Sequence, residues 1–229
     1  MFIIGCLKML VILPISWLDA FYIRLKPFHQ RYQRMNWWSK RLLHAFGCSV
    51  EVENYQDDFQ GPTLFISNHQ SLLDMSIQMA FLKTPYSYIS KIENKKIPYV
   101  CNWAKTLELI YFDRSDTLSA VSMLRESARL LKKEHNMFIF PEGTRAKDGK
   151  LLPLQAGSLK PAYLAKARIV PIVLHDSYDF KKHLLHHQNF HVSMLDAYEY
   201  DAYRKVKAED LVSEIQQKME AVLTKTSKS

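Results

Sequence analysis

Seven short runs of apolar and β-branched residues, at 49–53, 63–67, 86–90, 109–112, 137–140, 169–174 and 190–195, are spaced along most of the chain. Between and after them lie longer stretches, at 71–82, 117–133, 158–166 and 208–223, in which apolar residues recur every three or four positions. Leu211, Ile215, Met219 and Val222 give the last of these its helical period. Strands interleaved with helices predict an α/β fold: a mixed, largely parallel sheet flanked by helices, here over 48–224. A hydrophobic share of 48% in 229 residues is enough to build one such core. In this architecture ligands bind beyond the C-terminal ends of strands. The polar clusters obey that rule. Asn68-His69, Asp113-Arg114 and Glu142-Gly143-Thr144-Arg145 each follow a strand-like run, so three strand ends are expected to converge on one sheet edge.

His69 is the candidate general base, because an imidazole exchanges a proton near neutral pH. It needs one ring nitrogen fixed by a partner, and Asp74 is the nearest carboxylate. Five residues apart in a continuous helix means about 140° of rotation, so the two meet only if His69 precedes the helix. Ser71 as N-cap would put Asp74 at the third helical position. The same spacing also approximates a capping box, with Asp74 serving only the helix end. A Ser71 nucleophile is disfavoured, since no G-x-S-x-G elbow surrounds it.

Phe140-Pro141-Glu142-Gly143-Thr144-Arg145 combines a glycine turn with a guanidinium fork suited to phosphate. It lacks the length and the G-K-[ST] ending of a Walker loop. Alone it reads as a turn with a solvated arginine. With Arg114 at a neighbouring strand end, the two arginines would form an anion clamp.

Net charge is +8, and residues 1–50 hold +6 of it, with seven Lys or Arg against Asp19 alone. Segments 2–13 and 15–26 are mostly apolar and are separated by Pro14. Each is about 18 Å long as helix, against a hydrocarbon core of about 30 Å. They are expected to be short helices lying in a membrane interface, although one helix through Pro14 would nearly span. No cleavage site or leading charge marks a signal peptide. Phe28, Tyr32, Met35, Trp38, Leu42 and Phe46, with Arg31, Arg34, Lys40 and Arg41 between them, predict an amphipathic helix ended by Gly47. Its apolar face fits either an anionic membrane surface or the protein's own core. Residues 1–47 are thus expected as interfacial helices ahead of the α/β domain. A nucleic-acid partner is not expected, because the basic excess coincides with apolar helices and no nucleic-acid module is visible.

Cys6, Cys48 and Cys101 have no C-x-x-C spacing and read as reduced thiols. His183, His186, His187 and His191 have no carboxylate or thiolate in ligand register, so a solvated polar loop is expected there and no metal.

Taken together, these motifs resemble the 1-acylglycerol-3-phosphate O-acyltransferase family of glycerolipid acyltransferases. Its N-H-x-S-x-x-D motif is intact at Asn68–Asp74, and its F-P-E-G-T-R motif is intact at Phe140–Arg145. Val170-Pro171-Ile172-Val173 matches its V-P-[IV]-[VI] strand. Glu108–Arg114 matches G-x-I-[FY]-[IV]-x-R, with Glu108 in place of the glycine. The resemblance implies a transfer of a fatty acyl group from acyl-CoA or acyl carrier protein to lysophosphatidate, giving phosphatidic acid. It implies His69 as base, Asp74 as its orienting partner, and Arg114 and Arg145 on the phosphate. Glu142, Gly143 and Thr144 would bind substrate beside them, Glu142 and Gly143 by shaping the pocket. It implies no cofactor beyond the thioester co-substrate, and membrane association on the cytoplasmic face beside membrane lipids. Other acceptors (glycerol 3-phosphate, another lysophospholipid, an amino-acid lipid) or a non-catalytic lipid-binding protein are the alternatives.

Overall fold

The computed structural model describes residues 2–57, 59–113 and 115–226. Its strands are β1 (Val50–Glu53), β2 (Thr63–Ser67), β3 (Tyr86–Lys91), β4 (Ile110–Phe112), β5 (Asn136–Ile139), β6 (Arg168–His175) and β7 (Phe190–Met194). Two helices precede them, α1 (Phe2–Ile23) and α2 (Phe28–Ala45). The others are α3 (Asp74–Phe81), α4 (Pro98–Thr106), α5 (Thr117–Leu131), α6 (Lys160–Ala165), α7 (Phe180–His186), α8 (Tyr200–Tyr203) and α9 (Ala208–Thr226).

The sheet order is β1-β7-β6-β2-β5-β3-β4. Strands β6, β2, β5, β3 and β4 are mutually parallel, and β7 joins β6 antiparallel. The mixed, largely parallel sheet predicted from the alternation is therefore the observed one. Both faces are covered, because successive side chains on a strand point to opposite sides. Phe65 and Phe138 point into a core shared with α1, α2, α3 and α4, while Leu64, Ile66, Met137 and Ile139 point into one shared with α5, α6 and α9. Fully burying one such side chain stabilises by about 1.5–3 kcal/mol.

Strand order corrects one sequence inference. β3 lies between β5 and β4, so the strand ends before Arg114 and before Glu142 are not neighbours. Arg114 itself lies outside the described residues. Glu108, at the motif's glycine position, has φ +55°. That is the left-handed region glycine tolerates freely and other residues occupy at a cost of about 1–2 kcal/mol. Its carboxylate is held by Arg31 Nη2 at 2.5 Å.

The expected pair of short N-terminal helices is one 22-residue helix, continuous through Pro14. Proline removes one backbone hydrogen bond, and tertiary contacts on one side of α1 keep the helix in line across it. Ser16 Oγ lies 3.0 Å from Tyr99 Oη and accepts from Trp103 Nε1 at 3.1 Å. Asn102 Nδ2 donates to the Trp17 carbonyl at 2.6 Å, and Thr106 Oγ1 donates to the Ala20 carbonyl at 3.1 Å. Asp19 accepts from Arg34 Nε and Trp38 Nε1, each at 2.7 Å. Gly5 lets the helix approach α2 closely, since a Cβ there would sit 2.5 Å from Phe46 Cδ1. The opposite side of α1 is apolar and exposed, with Ile3, Leu7, Leu10, Val11 and Leu18 all more than half accessible. On α2, Tyr32, Trp38 and Leu43 turn into the core, whereas Trp37 stays exposed between Arg34 and Arg41.

The histidine-rich stretch is also more ordered than a solvated loop. It contains α7, in which His183 is buried and stacks on Phe190 at 4.6 Å. Leu184 is buried beside it and Phe180 packs on the same core, so burying apolar side chains outweighs the polar residues between them.

Candidate functional site

β2 ends at Ser67, and the next residues turn over the sheet edge. Asn68 is fully buried. Its Nδ2 donates to the Leu174 carbonyl at 2.9 Å, and its Oδ1 accepts from Leu174 N–H at 2.8 Å. This side chain thus continues the β2–β6 pairing one residue past the strand and fixes where His69 begins.

Asp74 opens α3, whose N-cap is Leu73, so it occupies the first helical position and not the third. Ser71 lies too far back to cap. Its hydroxyl donates to Asp74 Oδ1 at 2.6 Å and accepts from Leu73 N–H. The carboxylate faces back along the chain and is fully buried. Oδ2 accepts from Gln70 N–H at 2.6 Å and from Ser71 N–H at 2.9 Å, and it lies 2.7 Å from His69 Nδ1. Oδ1 also accepts from Ser177 Oγ at 2.8 Å. Capping and orienting a base are therefore not rival uses of Asp74. One carboxylate closes the 69–73 turn on itself and holds the imidazole. With Oδ2 as acceptor, Nδ1 carries the proton and Nε2 is left as the free base of a neutral ring. Phe140 stacks on His69 at 4.0 Å, 18° from parallel, and fixes the ring plane.

The Phe140–Arg145 loop comes from β5, the strand beside β2. Glu142 is buried behind the turn. Its Oε1 accepts from His69 N–H at 2.6 Å and its Oε2 from Leu152 N–H at 2.9 Å. It shapes the site by clamping two loops together and does not face the cleft. Gly143 has φ +67°. Burial pushes the Glu142 carboxyl up to about 7; the two backbone N–H donors oppose this, and the nearby Asp74 charge adds to it. The folded value thus exceeds the ordinary 4.5. Stability from this group is fully present below the ordinary value and is lost as pH rises through about 7. Urea unfolding of the native protein and of Glu142→Gln, over roughly pH 4 to 8, should therefore show the native protein losing ground as pH rises. The slope should not exceed about 1.4 kcal/mol per pH unit, the limit for one proton, and the difference should be flat above the Glu142 transition.

His69, Gly143, Thr144 and Arg145 line one cleft of about 430 Å³. Its walls also include Leu72, Met75, Ile89, Met123, Leu124 and Phe112, so a small polar end opens into an apolar space. Thr144 and Arg145 are exposed at its rim. Lys91, at the end of β3, lines it too. Because β3 is the neighbour of β5, Lys91 is the cation the fold brings to the strand end beside Arg145. Motif and spacing alone do not point to it. Its signal was available, as a lysine ending a strand-like run. Ser177 was also missed, and it had no such signal: it lies 103 positions from its partner Asp74.

The chain is similar to known proteins over much of its length. The Acyltransferase family model matches residues 49–175. A chloroplastic 1-acyl-sn-glycerol-3-phosphate acyltransferase of Brassica napus is 37% identical over 159 residues, covering 65% of this chain and 43% of that protein. The 1-acyl-sn-glycerol-3-phosphate acyltransferase of Helicobacter pylori is 33% identical over 142 residues, covering 61% and 60%. The chain spans about half the length of the curated relatives it matches. The crystal structure of the 1-acyl-sn-glycerophosphate acyltransferase PlsC from Thermotoga maritima superposes with a TM-score of 0.76 at 20% identity, over 98% of this chain and 94% of that one, a likeness of fold. Since the matched stretch takes in more than half of the sequence, with His69, Asp74 and the whole Phe140–Arg145 loop inside it, the chain belongs to the Acyltransferase family.

Proposed function

We propose that this protein transfers a fatty acyl group from a thioester, on CoA or acyl carrier protein, to the free hydroxyl of lysophosphatidate. The observation that carries the reading is the His69–Asp74 pair at the polar end of a cleft that is otherwise apolar. His69 Nε2 takes the hydroxyl proton as the oxygen attacks the thioester carbonyl. The carbon–sulfur bond then breaks, and the imidazolium returns its proton to the leaving thiolate. Ester and free thiol result, with no acyl-enzyme, metal or redox step. Arg145 and Lys91 hold the phosphate, with Arg114 a further candidate from its sequence motif. The apolar walls take the acyl chain. Incubating the purified protein with lysophosphatidate and labelled acyl-CoA or acyl carrier protein, and identifying the product, tests this. Labelled phosphatidate is expected. Product only with glycerol 3-phosphate or another lysolipid would reassign the acceptor.

The membrane reading has its own physical support. Moving a sixteen-carbon chain into water costs on the order of 10 kcal/mol, at about 0.8 per CH₂. A bilayer-bound enzyme avoids that step. α1 is long and apolar enough to cross a membrane, but Ser16 and Asp19 on one side of it, and Arg24 just past its end, tie it to α2 and α4. We infer that α1 lies in the interface with its exposed apolar side in lipid, beside the basic and aromatic surface of α2.

Arg145→Ala should raise the apparent KM for the phosphorylated acceptor by about 10-fold or more, the loss of a hydrogen bond between charged groups. Saturation by the acyl donor should change much less. Initial rates with each substrate varied in turn decide. An equal loss for both would make Arg145 a structural residue of its loop.

A further inference from the structure

We propose that Ser177 is a positioning residue for the His69–Asp74 pair. The proposal rests on the acyl-transfer reading above. Ser177 is 1% exposed and lies beyond the stretch matched by the family model. It opens a 3-10 turn, Ser177–Asp179, directly after β6. Asp176, just before it, has φ +51°, a left-handed conformation that costs a non-glycine residue about 1–2 kcal/mol. This backbone turn aims the Ser177 hydroxyl at Asp74 Oδ1, 2.8 Å away. Gln70 Oε1 is a second acceptor at 3.0 Å. The single hydroxyl proton goes preferentially to the ionised carboxylate, the stronger acceptor.

What distinguishes Ser177 from the other donors is where it comes from. His69, Gln70 and Ser71 belong to the same short turn as Asp74 and move with it. Ser177 follows two residues after the end of β6, which flanks β2 on the side away from β5. Three residues before it, Leu174 is clamped to the end of β2 by both amide atoms of Asn68. Ser177 therefore references the carboxylate to the sheet. Without it, Asp74 is held only by the turn that it is meant to hold. The hydroxyl also draws electron density from Oδ1, which limits how strongly Oδ2 attracts the Nδ1 proton of His69.

Removing the hydroxyl has a sign. Asp74 becomes the stronger acceptor and stabilises the imidazolium, so His69 titrates at higher pH. Among the described residues, the other charged or titratable groups around the pair are Glu142 behind His69, Tyr88 near Asp74, and Lys91 and Arg145 across the cleft. All are unchanged in a Ser177 variant, so a shift reads Ser177 alone.

The test compares native protein, Ser177→Ala and Ser177→Thr, by kcat and KM against pH and by 15N NMR titration of the His69 ring. For Ser177→Ala, kcat should fall by roughly tenfold, the weight of one hydrogen bond to a charged group, with both KM values kept. The acid limb of the rate profile and the His69 titration should both rise by about 0.5 pH unit or more. Ser177→Thr, which retains the hydroxyl, should restore both. If the ring titration and the acid limb stay in place, Ser177 serves only to pack its loop and the proposal is overturned, whatever happens to kcat. The ring titration does not depend on turnover. Native protein that fails to transfer acyl groups would therefore refute the acyl-transfer reading separately, with the Ser177 coupling still measured.

Discussion

His69→Ala is expected to fold normally and to lose at least about 10²-fold in kcat, the lower end for a positioned general base. The fold should survive because the ring is not a keystone of the core. Its side chain is 22% exposed and its main contacts are Phe140 and Asp74. The backbone groups of residue 69 that do hold the site, its N–H to Glu142 and its carbonyl to Ala146 N–H, remain in the variant. KM for both substrates should change little, since binding in the proposed mechanism belongs to the cations and the apolar walls. Steady-state kinetics, with circular dichroism as the check on folding, provide the measurement. Near-normal turnover in a folded His69→Ala protein would end the mechanism proposed here.

Asp74→Asn should be at least as damaging to turnover, and should cost stability as well. Five donors surround the native carboxylate: the hydroxyls of Ser71 and Ser177, the N–H groups of Gln70 and Ser71, and His69 Nδ1. An amide offers one acceptor oxygen and turns its NH₂ toward donors on the other side. If the NH₂ faces Nδ1, that nitrogen must accept, the imidazole proton moves to Nε2, and the base is lost. If it faces the two hydroxyls, they must rotate away or stay unsatisfied. Either arrangement leaves a buried polar mismatch worth about 1–3 kcal/mol, or a fall in Tm of several degrees at about 2–4 °C per kcal/mol. Turnover should fall by about 10²-fold or more. Kinetics and thermal unfolding on the same preparation separate the two effects. A variant that loses stability alone would reduce Asp74 to a helix-end residue.

The local half of this site was legible before the fold was known. His69 and Asp74 are five residues apart, and the helix geometry that forbids their contact within a helix left the preceding turn as the place where they meet. They do meet there, although α3 begins two residues later than the Ser71 cap implied. β2 has the bounds its sequence pattern gives, Thr63–Ser67, because a fully buried strand of a parallel sheet is a continuous apolar run with a sharp polar stop. Other elements were obscured where two signals compete. Pro14 is a strong breaker, yet α1 runs through it, because contacts from α4 and α2 outweigh one missing hydrogen bond. In α7 the histidines suggested a loop, whereas Leu184 and Phe180 settled into the core.

By itself, then, the sequence determined the strand and helix alternation, the sheet edge on which the polar clusters gather, and the His69–Asp74 pair. Each of these depends on periodicity or on residues within one turn of each other. Only the tertiary structure decided which strands are neighbours: β5 beside β2, bringing Glu142 onto His69, and β3 beside β5, bringing Lys91 toward Arg145. It alone placed Ser177 against Asp74. Strand order is set by the packing of helices on both faces of the sheet, a sum over long-range contacts that no local pattern encodes.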